Sequence, residues 1–129
     1  MDRSENMRRI RSKDTKPELL VRSLIHRLGY RFRLHRHDVP GRPDMVFPAR
    51  MKVIFVHGCF WHGHARCKVA HIPKSNRAYW RPKLKRTQMR DAMRSRELRK
   101  LGWQSLVLWE CQLLNLERVA ARVRRFLDS

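Results

Sequence analysis

Apolar positions along the chain change period several times, and each change marks a predicted element. From Thr15 the pattern is helical. Leu20, Leu24 and Leu28 recur every fourth residue, and Thr15-Lys16-Pro17-Glu18 has the spacing of a capping box with proline tolerated in the first turn. Gly29 is placed to stop this helix. Tyr30, Phe32 and Leu34 then alternate with Arg31 and Arg33, which predicts a half-buried strand over 30–34. Residues 35–43, with Pro40-Gly41-Arg42-Pro43, read as a loop. Residues 44–47 and 51–56 predict two strands with Pro48-Ala49-Arg50 turning between them. The second is a solid β-branched and aromatic run, expected at the centre of a sheet and covered on both faces. Residues 58–77 follow neither period. Residues 80–101 form the longest helical stretch, basic on its outer face and stopped at Gly102. A further strand is expected over 104–109, and a closing helix over 115–127 with Leu116, Val119, Val123 and Phe126 on one side. Interleaved helices and strands predict an α/β fold, a small mixed central sheet flanked by helices. Residues 1–14, polar and basic with Met7 and Ile10 as their main apolar points, read as an arm or short helix ahead of a single domain over 1–129.

Charge changes this picture from scaffold to binder. The 129 residues hold 31 Lys and Arg against 11 acids, a formal charge of +20 that points to a polyanionic partner. The excess is uneven. Residues 81–100 carry 9 basic and 2 acidic side chains, residues 101–129 only 4 and 3, and no acid lies between Asp44 and Asp91. An anionic ligand is therefore expected against this middle stretch and the N-terminal arm, not the C-terminal end. A hydrophobic content of 42% with four Trp excludes a disordered basic tail. No signal peptide is visible at the N-terminus, and the longest strongly apolar runs are far short of the about 20 residues a membrane span needs. A cytoplasmic protein with reduced thiols and no membrane partner is expected.

The densest chemistry follows the central strand, in His57-Gly58-Cys59-Phe60-Trp61-His62-Gly63-His64-Ala65-Arg66-Cys67, and the one other cysteine is Cys111. Tetrahedral zinc takes four N or S ligands, and Cys59, His64, Cys67 and Cys111 form a Cys₃His set that uses every thiol. A purely local site with His62 as a ligand would strand Cys111. Four protein ligands leave no open position, so such a zinc is structural. Phe60 and Trp61, side by side among glycines and basic residues, read either as a core plug or as a wedge between base pairs, at a cost of a few kcal/mol of unstacking. Asp44 opens one strand while the neighbouring strand delivers His57 at its end. A carboxylate at such a sheet edge can hold Mg²⁺, and a histidine near neutral pH can take a proton from water. Glu18 stands at the third position of the capping box.

Three strings, Pro40-Gly41-Arg42-Pro43-Asp44, His57-Gly58-Cys59-Phe60-Trp61-His62 and Trp109-Glu110-Cys111, resemble the very-short-patch-repair (Vsr) mismatch endonucleases, as do Ser4-Glu5-Asn6-Met7-Arg8 and Tyr79-Trp80. The likeness runs in the same order over residues 4–112. It implies a divergent PD-(D/E)xK restriction-endonuclease-like fold. Pro43-Asp44 is the first half of that signature, whereas Phe55-Val56-His57 lacks its second acid and its lysine. The resemblance further implies Mg²⁺ on Asp44 and on the main-chain carbonyl of Val56, His62 as general base, and Glu18 and His57 supporting it. It implies Zn²⁺ on Cys59, His64, Cys67 and Cys111, and Met7, Phe60 and Trp61 as intercalating residues. Two residues separate His64 from Cys67 where one is common in the family, and Thr87 stands in place of an expected Asn.

The implied activity is a single-strand nick 5′ of the thymine in T·G mispairs left by deamination of 5-methylcytosine. The implied setting is a bacterial, nucleoid-associated monomer acting on double-stranded DNA, with mismatch-repair proteins as further partners. The competing readings are a related nuclease with another substrate and a zinc-stabilised DNA-binding protein without catalysis.

Overall fold

In the computed structural model, which describes residues 15–62, 64, 67 and 77–129, helix α1 (Lys16–Arg27) begins where the capping spacing places it. The Thr15 hydroxyl accepts the Glu18 N–H at 3.4 Å, and Pro17 occupies the first turn, where no N–H is required. The helix ends at Leu28 and Gly29, the latter at φ +94°, a left-handed conformation that costs glycine little. Its inward face is Val21, Leu24 and Ile25, with Leu28 packed beside them. Leu20 is rotated off that face and lies 38% exposed, because burial follows the Val21-Leu24-Ile25-Leu28 line and not the strict fourth-residue row.

Three strands make the sheet, β1 (Met45–Phe47), β2 (Lys52–His57) and β3 (Gln104–Trp109), in the order β1-β2-β3. β1 and β2 are antiparallel, joined through a 3₁₀ turn at Pro48–Arg50, with Met45 opposite Ile54. β2 and β3 are parallel, with Lys52 opposite Gln104 and His57 opposite Trp109. A parallel pair requires a long crossover, and α2 (Arg77–Lys100) lies in that crossover. A 3₁₀ segment (Glu110–Leu114) then leads into α3 (Leu116–Asp128), whose first turn is capped by the Asn115 side chain accepting the Arg118 N–H.

Alternation along the strands divides the core between two faces. Met45, Phe47, Ile54, Val56 and Leu108 pack with α1 and with Val119, Val123 and Leu127 of α3. Val46 and Val53 face the other way, against Leu98 of α2 and Val39, with Phe55 and Trp103 at the margin. β2 is thus central and covered on both faces, as its composition predicts. The sheet is mixed, and the described residues form an α/β fold with three helices.

The strand expected over 30–34 does not form. Arg33 alone bridges to Val46, donating and accepting one backbone hydrogen bond at 2.8 and 2.9 Å. β1 offers only three residues to pair with, and the chain leaves at His35, which takes φ +54°. The N-terminal arm, including Met7, lies outside the described residues.

Lys52 is the one buried cation of the sheet, 5% exposed. Its ammonium donates to the Phe126 carbonyl at 2.6 Å, the Ser129 carbonyl at 2.8 Å and the Ser129 hydroxyl at 2.9 Å, and so caps the end of α3. Lys52→Met keeps the stem and strands these acceptors. It is expected to cost about 2–3 kcal/mol, the range of a charged hydrogen-bonded group. Chemical denaturation checks this, and an unchanged midpoint would contradict it.

Candidate active site

The C-terminal end of β2, the start of β1 and one side of α2 meet in a cleft of about 1110 Å³. Glu18, Asp44, Val56, His57 and His62 all line it, with Phe60 and Trp61 beside them. The sequence-predicted catalytic residues are therefore brought to one place.

Asp44 precedes β1 by one residue, and its Oδ2 accepts the Val56 N–H at 2.6 Å. Burial pushes its carboxyl up to about 7, Glu18 adds to the rise, and the Val56 N–H and the Arg22 guanidinium oppose it. Glu18, 4% exposed, projects from the first turn of α1 and is bridged by Arg22 at 3.3 Å. Its capping geometry and its place in the cleft coexist. A buried carboxyl group, Glu18, and a half-buried one, Asp44, face one another with Arg22 bridging the first, and a hard divalent cation suits such oxygens. This donor set fits Mg²⁺.

His57 ends β2, 8% exposed, and its ring lies face to face with that of His62, centroids 3.7 Å apart and 3° from parallel. Burial, then the neighbouring His62, lowers His57 to about 4, while Asp91 opposes, so at neutral pH His57 is uncharged. His62 Nδ1 meets Asp91 Oδ2 at 2.7 Å. A carboxylate at Nδ1 holds the proton there and leaves Nε2 as the acceptor of the neutral ring. The ligand atoms of His57, His62 and Asp91 lie within 4.8 Å of one another. Parallel stacked imidazoles, however, direct their in-plane lone pairs side by side, so the trio is better suited to proton transfer than to coordination. Asp91 was missed in the sequence, where it reads as a solvated acid on a basic helix. The signal was there: it is the first acid after Asp44.

These shifts set opposite stability slopes in metal-free protein. Between about pH 4 and 7 the native chain keeps a proton on Asp44 that the unfolded chain has released, so stability falls as pH rises. Between about pH 6.5 and 4 the unfolded chain takes a proton that native His57 refuses, so stability falls as pH drops. Asp44→Asn retains an acceptor for Val56 and removes the first slope. It is expected to be the more stable protein at pH 8 by on the order of 1–2 kcal/mol and no more stable at pH 4. Melts across pH without divalent ions check this, and an equal gain at both ends would contradict it.

Adjacent to the histidine stack, the ligand atoms of Cys59, His64, Cys67 and Cys111 lie within 4.8 Å of one another. Cys111 Sγ stands 3.5 Å from His64 Nδ1, and the Cys111 N–H points to Cys59 Sγ at 3.4 Å. Burial pushes the Cys59 thiol up to about 12 and raises that of Cys111. A soft dication offsets the cost of burying thiolates, and this N/S set fits Zn²⁺. The set is the one predicted, and His62 stays outside it. Trp109 links the two centres, stacking on His64 at 4.0 Å and meeting His57 edge-on at 5.1 Å. Glu110 Oε1 accepts the Cys59 N–H at 3.4 Å.

Phe60 and Trp61 are half-buried and meet edge to face. Both rest on the buried Trp80 of α2, at 5.1 and 5.7 Å. Trp80 lies buried beneath them, and the pair forms an aromatic wall of the cleft. No described helix is long and apolar enough to cross a membrane.

Residues 1–68 match the family model described as DNA mismatch endonuclease Vsr. The Type II nicking enzyme V.XorIIP of Xanthomonas oryzae pv. oryzae is 52% identical over 122 residues, covering 95% of this chain and 89% of that protein. V.NmeAIP, a Type II nicking enzyme of Neisseria meningitidis, is 42% identical over 131 residues, 98% and 93% of the two chains. The DNA mismatch endonuclease Vsr of Escherichia coli K12 is 39% identical over 117 residues, 91% and 74% of the two chains.

Proposed function

The chain belongs to the Vsr family of DNA endonucleases, and from that premise we propose that it nicks one strand of duplex DNA 5′ of the thymine in a T·G mispair, in a Mg²⁺-dependent reaction. The observation that carries this reading is the convergence on one cleft of a cation-seeking carboxylate pair, Asp44 and Glu18, and an acid-held imidazole, His62 with Asp91. Binding alone requires neither.

Mg²⁺ held by Asp44 and the main-chain carbonyl of Val56 would supply charge to polarise the scissile phosphate. His62 Nε2 takes a proton from the attacking water as its oxygen bonds to phosphorus. The P–O3′ bond breaks, and the departing oxygen takes a proton from solvent, leaving a 3′-hydroxyl and a 5′-phosphate. Asp91 keeps the imidazole in the required tautomer and stabilises it once protonated. His57, uncharged and stacked on His62, fixes the plane of that ring without adding a competing charge. The wall of Phe60 and Trp61 presents apolar faces where the mispair would be opened, the expense of a wedge being a few kcal/mol of unstacking. The missing second acid and lysine make this a divergent PD-(D/E)xK site, its metal carboxylate at β1 and its other contact a backbone atom of β2.

The test compares nicking of matched and T·G duplexes of one sequence in Mg²⁺ on denaturing gels. The reading expects cleavage of the thymine strand of the mispaired duplex alone. Equal cutting of both duplexes would replace it with a nuclease of another specificity, and no cutting with a DNA-binding protein.

A further inference from the structure

Cleavage of a phosphodiester builds negative charge on the non-bridging oxygens, and this chain, with Phe55-Val56-His57, lacks the signature lysine that would meet it. Among the described residues, Lys16, Arg42 and Arg94 are the cationic side chains that line the cleft. Lys16 and Arg42 are exposed, whereas Arg94 is half-buried. Arg94 lies on α2 one turn beyond Asp91, so the acid that holds His62 and this guanidinium share a helix face. Its stem packs against the loop ahead of Asp44. Gly41, at φ +83°, brings the loop ahead of Asp44 so close that a Cβ there would stand 3.3 Å from Arg94 Cβ and 3.3 Å from Phe55 Cζ. Four acids line the same cleft, Glu18, Asp44, Asp91 and Glu110, yet among the described residues none forms an ion pair with Arg94. Glu18 is taken by Arg22, Asp91 by His62, and the Glu110 carboxylate accepts the Cys59 N–H. A guanidinium on a closely packed stem, lining the cleft and without an ion-pair partner among the described residues, is suited to receive an anion.

We propose that Arg94 is a catalytic residue of the nicking reaction, gripping a non-bridging oxygen of the scissile phosphate and countering the charge that grows on it. The assignment rests on the nuclease reading above. Gly41 is the positioning residue that admits the arginine stem, and the close approach explains why a residue with a side chain is disfavoured there. Arg94 acts from α2 and Asp44 from the start of β1, and both line the cleft where the phosphate would sit.

The experiment measures single-turnover nicking of a T·G duplex by wild type, Arg94→Gln and Arg94→Lys in saturating protein, beside duplex binding by each. Arg94→Gln is expected to nick about 10²–10³-fold more slowly, the usual loss of one charge-stabilising donor, while binding the duplex within about tenfold of wild type. Arg94→Lys recovers part of the rate. The discriminating arm uses duplexes with one non-bridging oxygen at the cut replaced by sulfur, each diastereomer separately. One diastereomer slows the wild type markedly and slows Arg94→Gln far less, because the lost contact cannot be lost twice. A merely structural role would leave that sulfur penalty unchanged. Active wild type with Arg94→Gln nicking within about threefold of it, or with an undiminished sulfur penalty, overturns the Arg94 assignment alone. Inactive wild type overturns the nuclease reading and this assignment with it.

Discussion

Asp44→Ala and His62→Ala are each expected to abolish nicking while leaving affinity for a T·G duplex largely intact. Asp44 is the carboxylate just ahead of β1, held by the Val56 N–H of β2 and pushed up to about 7 by burial, with Glu18 adding to the rise. Its loss removes the anchor for the divalent ion, and with it several kcal/mol of charge stabilisation, a rate factor of about 10³ or more. His62 loses the proton acceptor, about 10²–10⁴-fold by itself. Neither change removes a Lys or Arg, so the 31 cationic side chains that draw in the phosphate backbone survive. Asp44→Ala also deletes an anion from the cleft, and its affinity is expected to stay level or rise slightly. Rapid-mix nicking with a parallel binding titration measures both. Wild-type-like nicking by either variant would remove that residue from the reaction.

Cys59→Ser or Cys111→Ser is expected to empty the N/S cluster and collapse the loop that holds the reaction centre. The two sulfurs come from distant parts of the chain, Cys59 two residues past β2 and Cys111 two residues past β3, so a metal there would tie the ends of two parallel strands together. His62 sits three residues after Cys59, and its N–H is bonded to the Gly58 carbonyl at 3.1 Å. Trp109 carries any shift of His64 to His57. Loss of a structural zinc is expected to cost more than about 4 kcal/mol, beyond the range of ordinary substitutions. Metal analysis should find about one zinc per wild-type chain and much less in the variants, with a large fall in melting temperature. Full stability without bound metal would contradict the structural role.

The contrast between these two sites shows what a sequence carries. The Cys59, His64, Cys67 and Cys111 set was legible because thiols are scarce here and tetrahedral coordination takes four donors, which draws Cys111 into it whatever its distance along the chain. Asp44 was legible from its place at a strand start opposite a histidine-bearing strand end. Asp91 was not. An acid among the nine basic residues of 81–100 reads as a solvated ion, and only the fold, which brings α2 to the cleft at the end of β2, sets it against His62. Arg94 is hidden for the same reason, one cation among many until Gly41 closes on it. The strand expected over 30–34 failed for a different cause. Alternation reports which side of a segment is apolar, but the partner strand ended after three residues. Glu18 shows one residue filling two roles, its N–H donated to the Thr15 cap and its carboxylate turned to Arg22 and Asp44.

The most direct measurement places the cut itself. A duplex with one T·G mispair, each strand end-labelled in turn, is incubated with the protein and Mg²⁺, and the products are sized at single-nucleotide resolution. The account predicts one break, in the thymine strand immediately 5′ of the mispaired base, with a 3′-hydroxyl and a 5′-phosphate. A break in the opposite strand, or the reverse distribution of phosphate between the two ends, would contradict it.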